Sequence, residues 1–175
     1  MGGEIAIDAA LLAPERVAGL VLLAPAVSGA PEPSTLDPET HRLVQLWEAA
    51  QTSGEIDEIN RIEMWLWLDG PSAPEGRVSG PTRELALAMN AIALRNEIPE
   101  ESGKSGIEAW SRLEQISVPV TVACGDLDLP FVVARSKELS DWLPDSRFHV
   151  FEGMAHLPYL EHPATVAELI TAAVR

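Results

Sequence analysis

The chain has 175 residues, 46% of them apolar, which is enough for one domain with a buried core. Its 27 acidic residues outnumber its 12 basic residues, for a net charge of −15. Because a phosphate backbone requires clustered Lys and Arg, this charge excludes DNA, RNA and an anionic membrane as expected partners. No apolar run approaches the roughly 18 residues of a membrane helix. The single cysteine, Cys124, excludes an internal disulfide and favours a cytoplasmic location.

The first 27 residues predict a helix followed by a buried strand. Residues 4–13 form the helix, and its apolar side chains at helical spacing are Ile5, Ala9, Leu12 and Ala13. Residues 20–23 are a continuous apolar run, Leu-Val-Leu-Leu, with Gly19 before it. Such a run is typical of a strand that is buried on both faces of a parallel sheet.

The middle of the chain, residues 28–113, predicts a helical insert. A linker rich in Ser, Gly and Pro occupies residues 28–36. Apolar spacing then predicts four helical segments. The first starts at Asp37, the second spans 55–68, the third starts at Pro81, and the fourth, which is the shortest, spans 107–113.

Four of the five tryptophans fall in this insert: Trp47, Trp65, Trp67 and Trp110. Packing between helices is the simplest explanation for large aromatic side chains at such positions. The alternative is that some of them line an apolar pocket and bind substrate.

The last third of the chain alternates between strand and helix. Strands are predicted at 118–125 and 146–153, and helices at 131–143 and 162–174. This alternation indicates βαβ units with parallel strands. The predicted fold class is therefore α/β, a parallel sheet of about three strands with flanking helices, built from residues 1–27 and 114–175 around the helical insert.

Titratable side chains follow both predicted strands of this last third. Asp126 and Asp128 come after the first strand, and His156 comes after the second. Because ligand and catalytic groups gather at the carboxyl ends of parallel strands, we expect an acid and an imidazole to meet there. A carboxylate that orients an imidazole is half of a nucleophilic triad. Asp128 is preferred to Asp126 because it lies further from the strand end and can turn towards the next loop.

Other candidate groups have simpler explanations. His41, His149 and His162 are expected to be structural or solvated, and Ser28 is expected to be an ordinary loop serine. No cluster of Cys or His has the spacing of a metal site, and the two N-terminal glycines lack the spacing of a phosphate loop. We therefore expect neither a metal nor an organic cofactor.

Three segments together resemble the α/β-hydrolase superfamily. They are MGGEIAIDAALLAPERVAGLVLLAPA at the start, VPVTVACGDLDLP, and FEGMAHLPYLEHPATVAELI near the end. The resemblance implies that Asp128 is the triad acid and His156 the triad base, in the family's chain order of nucleophile, acid and histidine. It also implies that the insert at 28–113 is a helical lid over the active site.

The resemblance further implies where the nucleophile belongs. In the family, a serine directly precedes the Met-Gly-Gly segment, which here begins at Met1, and the residue after that serine donates an oxyanion-hole N–H. We therefore expect that this chain starts just after its nucleophile, that Met1 occupies the oxyanion-hole position, and that the chain alone is inactive. The intact protein would hydrolyse a small carboxylic ester, lactone or related carbonyl compound by a Ser-Asp-His mechanism.

Two alternatives remain open at this stage. The chain could be a non-catalytic binding protein derived from a hydrolase, or a fragment completed by a separate N-terminal chain. In the isolated chain the apolar strand at 20–23 would expose an unpaired edge, so we expect the chain to self-associate or to need a partner strand. The other expected partner is a small-molecule substrate.

Overall fold

The computed structural model describes residues 2–96 and 106–173. Within these ranges three parallel strands form one sheet in chain order: β1 (Leu20–Leu23), β2 (Val120–Gly125) and β3 (Ser146–Phe151). The predicted parallel sheet of three strands is thus confirmed. Because all three strands run in the same direction, their carboxyl ends lie along one edge of the sheet.

Helices connect and flank the strands, and most of them begin at a proline, whose missing N–H costs nothing in the first turn. They are α1 (Gly2–Leu12), α2 (Pro38–Ser53), α3 (Ile56–Met64), α4 (Pro81–Arg95), α5 (Pro130–Trp142), α6 (Pro158–Glu161) and α7 (Pro163–Ala173). Among the described residues, no helix combines the length and the hydropathy that a membrane crossing requires.

The two faces of the sheet are covered by different helices. On one face, α1 and α5 pack against β1 and β2 in a cluster that includes Ile7, Leu22, Val122 and Leu139. On the other face, α7 packs through Val166 against Ala123 and Phe151. Burying apolar side chains on both faces is the main source of stability in such a layered domain.

Helix α1 does not bury the face that the sequence predicts. Ile7 and Ala10 are buried against the sheet, whereas Ile5 is 60% exposed and Leu12 is 68% exposed. The prediction was wrong because helical spacing allows two apolar faces in this segment, and only the packing against β1 selects between them.

Helices α2, α3 and α4 lie over the carboxyl ends of the strands. Ala24 and Cys124, at the ends of β1 and β2, belong to one buried cluster with Leu43 of α2 and Ile62 of α3. Helix α2 starts as expected, because the Asp37 carboxylate accepts a hydrogen bond from the Thr40 N–H. A π-helical turn, Trp65–Asp69, continues α3. We call these three helices and this turn the lid.

The fourth expected helical segment of the insert lies elsewhere. Residues Ala109–Gln115 form 3₁₀ turns that pack beside α1, with Ala109 and Leu113 buried in the cluster of the sheet face. These turns therefore do not join the helices over the strand ends, and residues 97–105 of the expected insert lie outside the described residues. Apolar side chains at 107–113 indicated burial but not the surface that would cover them.

We predict that Gly125→Ala lowers the free energy of unfolding by about 1–3 kcal/mol. A Cβ atom at Gly125 would lie 2.0 Å from the Met154 carbonyl oxygen, so the loop after β3 would have to move. Urea denaturation measures the change. Gly2→Ala is the matched control, because a Cβ there meets no atom within 4 Å. Equal midpoints for the two variants would contradict the prediction.

Candidate active site

The loops that follow β2 and β3 are tied to each other by backbone hydrogen bonds. The Asp126 N–H donates to the Phe151 carbonyl over 3.1 Å, and the Leu127 N–H donates to the Met154 carbonyl over 2.9 Å. The exposed Asp126 carboxylate accepts a 2.7 Å hydrogen bond from the Gly153 N–H. Asp126 therefore joins the two loops, and its carboxylate does not approach His156.

Asp128 and His156 form the expected pair. His156 Nδ1 lies 2.9 Å from Asp128 Oδ2 and 3.1 Å from Oδ1. The Asp128 side chain is fully buried, whereas the His156 side chain is 28% exposed. Because a carboxylate only accepts hydrogen bonds, Nδ1 carries a proton and Nε2 is left as the available base. Asp128 also accepts a 2.7 Å hydrogen bond from the Leu129 N–H, which fixes the carboxylate in place.

Trp67 of the lid holds His156 from the opposite side. The backbone N–H of His156 donates to the Trp67 backbone carbonyl over 3.0 Å. The two rings lie 4.7 Å apart, centroid to centroid, at 54°. The imidazole is therefore held by the sheet through Asp128 and by the lid through Trp67.

His156 opens into a cavity of about 330 Å³ beneath the lid. Trp67 lines this cavity from the lid. The other lining residues follow β1, lie in the linker or belong to the first turns of α5, among them Pro25, Pro33, Phe131 and Arg135. The start of α1 lies beside this cavity, since a Cβ at Gly3 would be 2.7 Å from the Pro25 Cβ. Met1, the expected oxyanion-hole position, lies outside the described residues.

A second cavity of about 290 Å³ lies next to the first, under the lid. The two share Pro33, Trp67 and Phe131 in their walls. The walls of the second cavity are mainly apolar, and Trp47 belongs to them. The Trp47 indole N–H donates to the Glu63 carboxylate over 2.9 Å, which fixes the ring.

The four tryptophans of the insert therefore have different positions. Trp67 lines both cavities and Trp47 lines the second. Trp65 donates a hydrogen bond to the Ala73 carbonyl and lies under the Arg42 guanidinium. Trp110 packs against Trp142 at 5.1 Å. Neither Trp65 nor Trp110 lines a cavity with His156, so the geometry does not bring them to the site.

The remaining candidates also lie away from the pair. The Ser28 hydroxyl donates to Asp8 Oδ1 over 2.8 Å and accepts from the Ala109 N–H over 3.3 Å. His41, His149 and His162 are exposed. Across residues 2–96 and 106–173, no group of three or more His, Cys, Asp and Glu side chains could hold a metal ion.

Several residues of the site were missed by the sequence analysis. Phe131 and Arg135 line the main cavity from α5, and Pro33 lines it from the linker. Nothing in their local sequence distinguishes them from ordinary helix and loop residues. The position of Phe131 just after the acid loop is the one signal that could have indicated it, because strand ends carry the site in parallel sheets.

Chemically, this arrangement can accept a proton from a hydroxyl group placed in the cavity next to His156. The buried carboxylate stabilises the imidazolium that would form. The site is therefore suited to general-base activation of a nucleophile.

Comparison with known proteins agrees with this geometry. The family model described as Serine aminopeptidase, S33 matches residues 1–163. A Bacillus subtilis (strain 168) protein named "Putative 2-succinyl-6-hydroxy-2,4-cyclohexadiene-1-carboxylate synthase" is 29% identical over 98% of this chain and 62% of its own length. A pimeloyl-acyl-carrier-protein methyl ester esterase of Aliivibrio fischeri (strain ATCC 700601 / ES114) is 25% identical over 93% of this chain and 62% of its own length.

A solved structure confirms the fold. The 2-hydroxy-6-oxo-6-phenylhexa-2,4-dienoate hydrolase from Rhodococcus sp. strain RHA1 superposes with a TM-score of 0.67 at 21% identity, over 100% of this chain and 61% of that chain. The chain thus spans about three fifths of the length of each of these three proteins.

We predict that the Cys124 thiol, fully buried beside the site, does not react in the folded protein. Burial, and then the charge of Asp128, raise the pKa of Cys124 from 9.0 to about 11. The thiolate fraction at pH 8 is therefore about a hundredfold lower than in the unfolded chain. Absorbance with a disulfide reagent at pH 8, with and without urea, measures this.

The same shift has a consequence for stability. Because the folded thiol ionises at a higher pH than the unfolded one, the free energy of unfolding falls as the pH rises from 9.0 to about 11. Cys124→Ala, compared with the parent chain, isolates this contribution. Equal labelling rates of the folded and unfolded chain would contradict both expectations.

Proposed function

Because the chain belongs to the Serine aminopeptidase, S33 family, we propose that the protein is an α/β-hydrolase that cleaves a small carboxylic ester, lactone or related carbonyl compound. The single observation that carries this proposal is the 2.9 Å contact between His156 and the buried Asp128 at the mouth of a cavity. The name of the Aliivibrio fischeri relative, a methyl ester esterase, supports an ester as substrate.

In the proposed mechanism His156 acts twice. Its Nε2 takes the proton of a serine hydroxyl as that oxygen attacks the substrate carbonyl carbon, and then gives the proton to the leaving group. Water, deprotonated by the same nitrogen, cleaves the acyl-enzyme and releases the acid. Asp128 stays ionised throughout and stabilises the imidazolium through Nδ1–H.

We propose that the serine directly precedes Met1 in the natural protein. Two observations support this. The start of α1 lies next to Pro25, in the wall of the cavity that His156 also lines. The hydroxyl of Ser28, the nearest alternative in kind, is already bonded to Asp8 and Ala109. Without that serine, the 175-residue chain would lack hydrolase activity.

The substrate proposed for this site carries an apolar group. Trp67 and Trp47 would contact it in the second cavity, whose walls are mainly apolar and which adjoins the cavity of His156. A ring or short alkyl chain fits a volume of about 290 Å³. The reacting carbonyl would then lie beside His156, in the more polar first cavity.

We predict that His156→Ala lowers kcat of the full-length protein by at least about a thousandfold on p-nitrophenyl esters. Asp128→Asn should lower kcat by about ten-thousandfold, because the imidazole would adopt the wrong tautomer. Asp126→Asn is the control, since an amide oxygen can still accept from Gly153 N–H. Undiminished turnover in His156→Ala would contradict the proposal, as would rapid turnover by residues 1–175 alone.

We also propose that the free edge of β1 recruits another strand. Among the described residues β1 pairs only with β2, and Ile5 and Leu12 beside it are exposed. An apolar edge of this kind is a template for pairing. Isolated residues 1–175 should therefore sediment as dimers or larger species at physiological salt. Val21→Lys, which places a charge on this edge strand, should shift the distribution towards monomer, and a purely monomeric parent chain would contradict the proposal.

A further inference from the structure

A guanidinium group links the lid to the loop of His156. Arg77, in the loop between the lid turn and α4, donates to the Leu68 and Asp69 carbonyls, each over 2.7 Å. It also donates to the Gly153 carbonyl over 2.8 Å and pairs with Glu161 over 2.7 Å. Two of these partners belong to the lid and two to the segment around His156.

Both sides of this link end directly at His156. On the lid side, Leu68 follows Trp67, whose carbonyl and ring contact His156. On the other side, Glu161 accepts a 2.7 Å hydrogen bond from the Ala155 N–H, next to His156 in the chain. The Glu161 side chain is only 2% exposed, so its charge depends on Arg77 for compensation.

The loop that presents Arg77 is itself fixed by a buried carboxylate. Asp69, fully buried, accepts from the Gly76 N–H over 2.8 Å and from the Val78 N–H over 3.0 Å, on either side of Arg77. Arg83 of α4 pairs with the same carboxylate over 2.7 Å. The guanidinium is thereby held in one orientation, which suits its planar set of donors.

We propose that Arg77 is a positioning residue that sets the orientation of His156 by locking the lid turn to the histidine loop. Asp128 fixes only one atom of the imidazole, and the ring can still rotate or tilt about that hydrogen bond. Trp67 and Ala155 remove this freedom, and Arg77 holds both in place. Arg77 does not line the cavity of His156, so it acts through other residues.

Amide hydrogen exchange tests this proposal in residues 1–175 without any assumption about activity. Arg77→Met should accelerate exchange at the Ala155 and His156 amides by about tenfold or more, the effect of losing a charge-assisted hydrogen bond. Exchange at Val122 in β2 should not change. Arg95→Met, at the exposed end of α4, is the matched control and should change none of these rates.

Kinetics supply a second readout, which rests on the proposed function. Misplacement of the base should lower kcat by about ten- to a hundredfold and leave KM within about threefold. Arg77→Lys should recover part of kcat, because it retains the pairing with Glu161 but cannot reach every carbonyl. If the parent protein hydrolyses no ester, the proposed function fails while the exchange result still decides the role of Arg77.

The outcomes that overturn the proposal are equally specific. Uniform acceleration of exchange, β2 included, would show that Arg77 contributes only to global stability. Unchanged exchange at Ala155 and His156 would show that it holds neither, and a change in KM alone would show contact with substrate. If Arg77→Met does not fold, the double variant Arg77→Met/Glu161→Gln replaces it. This variant removes the buried charge and keeps an acceptor for the Ala155 N–H. Its exchange rates at Ala155 and His156 then decide the proposal.

Discussion

The site depends on how closely the histidine loop crosses the end of β2. At Gly125 a side chain would collide with the carbonyl oxygens of both Met154 and Ala155. This contact, together with the hydrogen bond from Leu127 N–H to the Met154 carbonyl, leaves the two loops one relative position. Asp128 and His156 meet because the absence of a side chain at Gly125 lets the two backbones below them come this close. Main-chain packing therefore sets the geometry of the Asp128–His156 pair first, and side-chain contacts refine it.

The helices that we call the lid contribute to the same geometry. The π-helical turn of the lid, Trp65–Asp69, directs the Trp67 carbonyl to the His156 N–H and the indole to the imidazole. The lid and the sheet also share one apolar cluster at the ends of β1 and β2. A lid that is packed in this way cannot lift from the His156 side without breaking the cluster. On the linker side, Pro31 and Pro33 line the cavity of His156.

Charge is used sparingly in the interior, although the chain carries a net charge of −15. The buried carboxylates of Asp69, Asp128 and Glu161 each have a cationic or imidazole partner. All three lie where the lid meets the loops after the strands. Buried pairs of this kind cost desolvation and add little net stability, but they penalise every arrangement in which a partner is displaced. Such buried pairs therefore favour a single orientation of the lid relative to the loops after the strands.

Local sequence determined the strands and helices and the residue types available at the strand ends. A continuous apolar run at 20–23 and alternating strands and helices near the end specify a parallel sheet, and parallel strands bring their following residues to one edge. The loops of Asp126, Asp128 and His156 could thus be expected to meet, and the family resemblance selected Asp128 over Asp126. Met1 and the role expected of it lie outside the described residues.

Tertiary structure decided which surfaces meet. Spacing along α1 marks Ile5 and Ile7 equally as apolar, and only contact with β1 buries one and exposes the other. The four tryptophans of the insert are alike in sequence, yet Trp67 reaches His156 whereas Trp110 packs beside Trp142. The pairing of Arg77 with Glu161 joins positions far apart in the chain, and no local periodicity encodes such a contact. Periodicity reports that a side chain is buried, but its partner is set by the way whole elements pack.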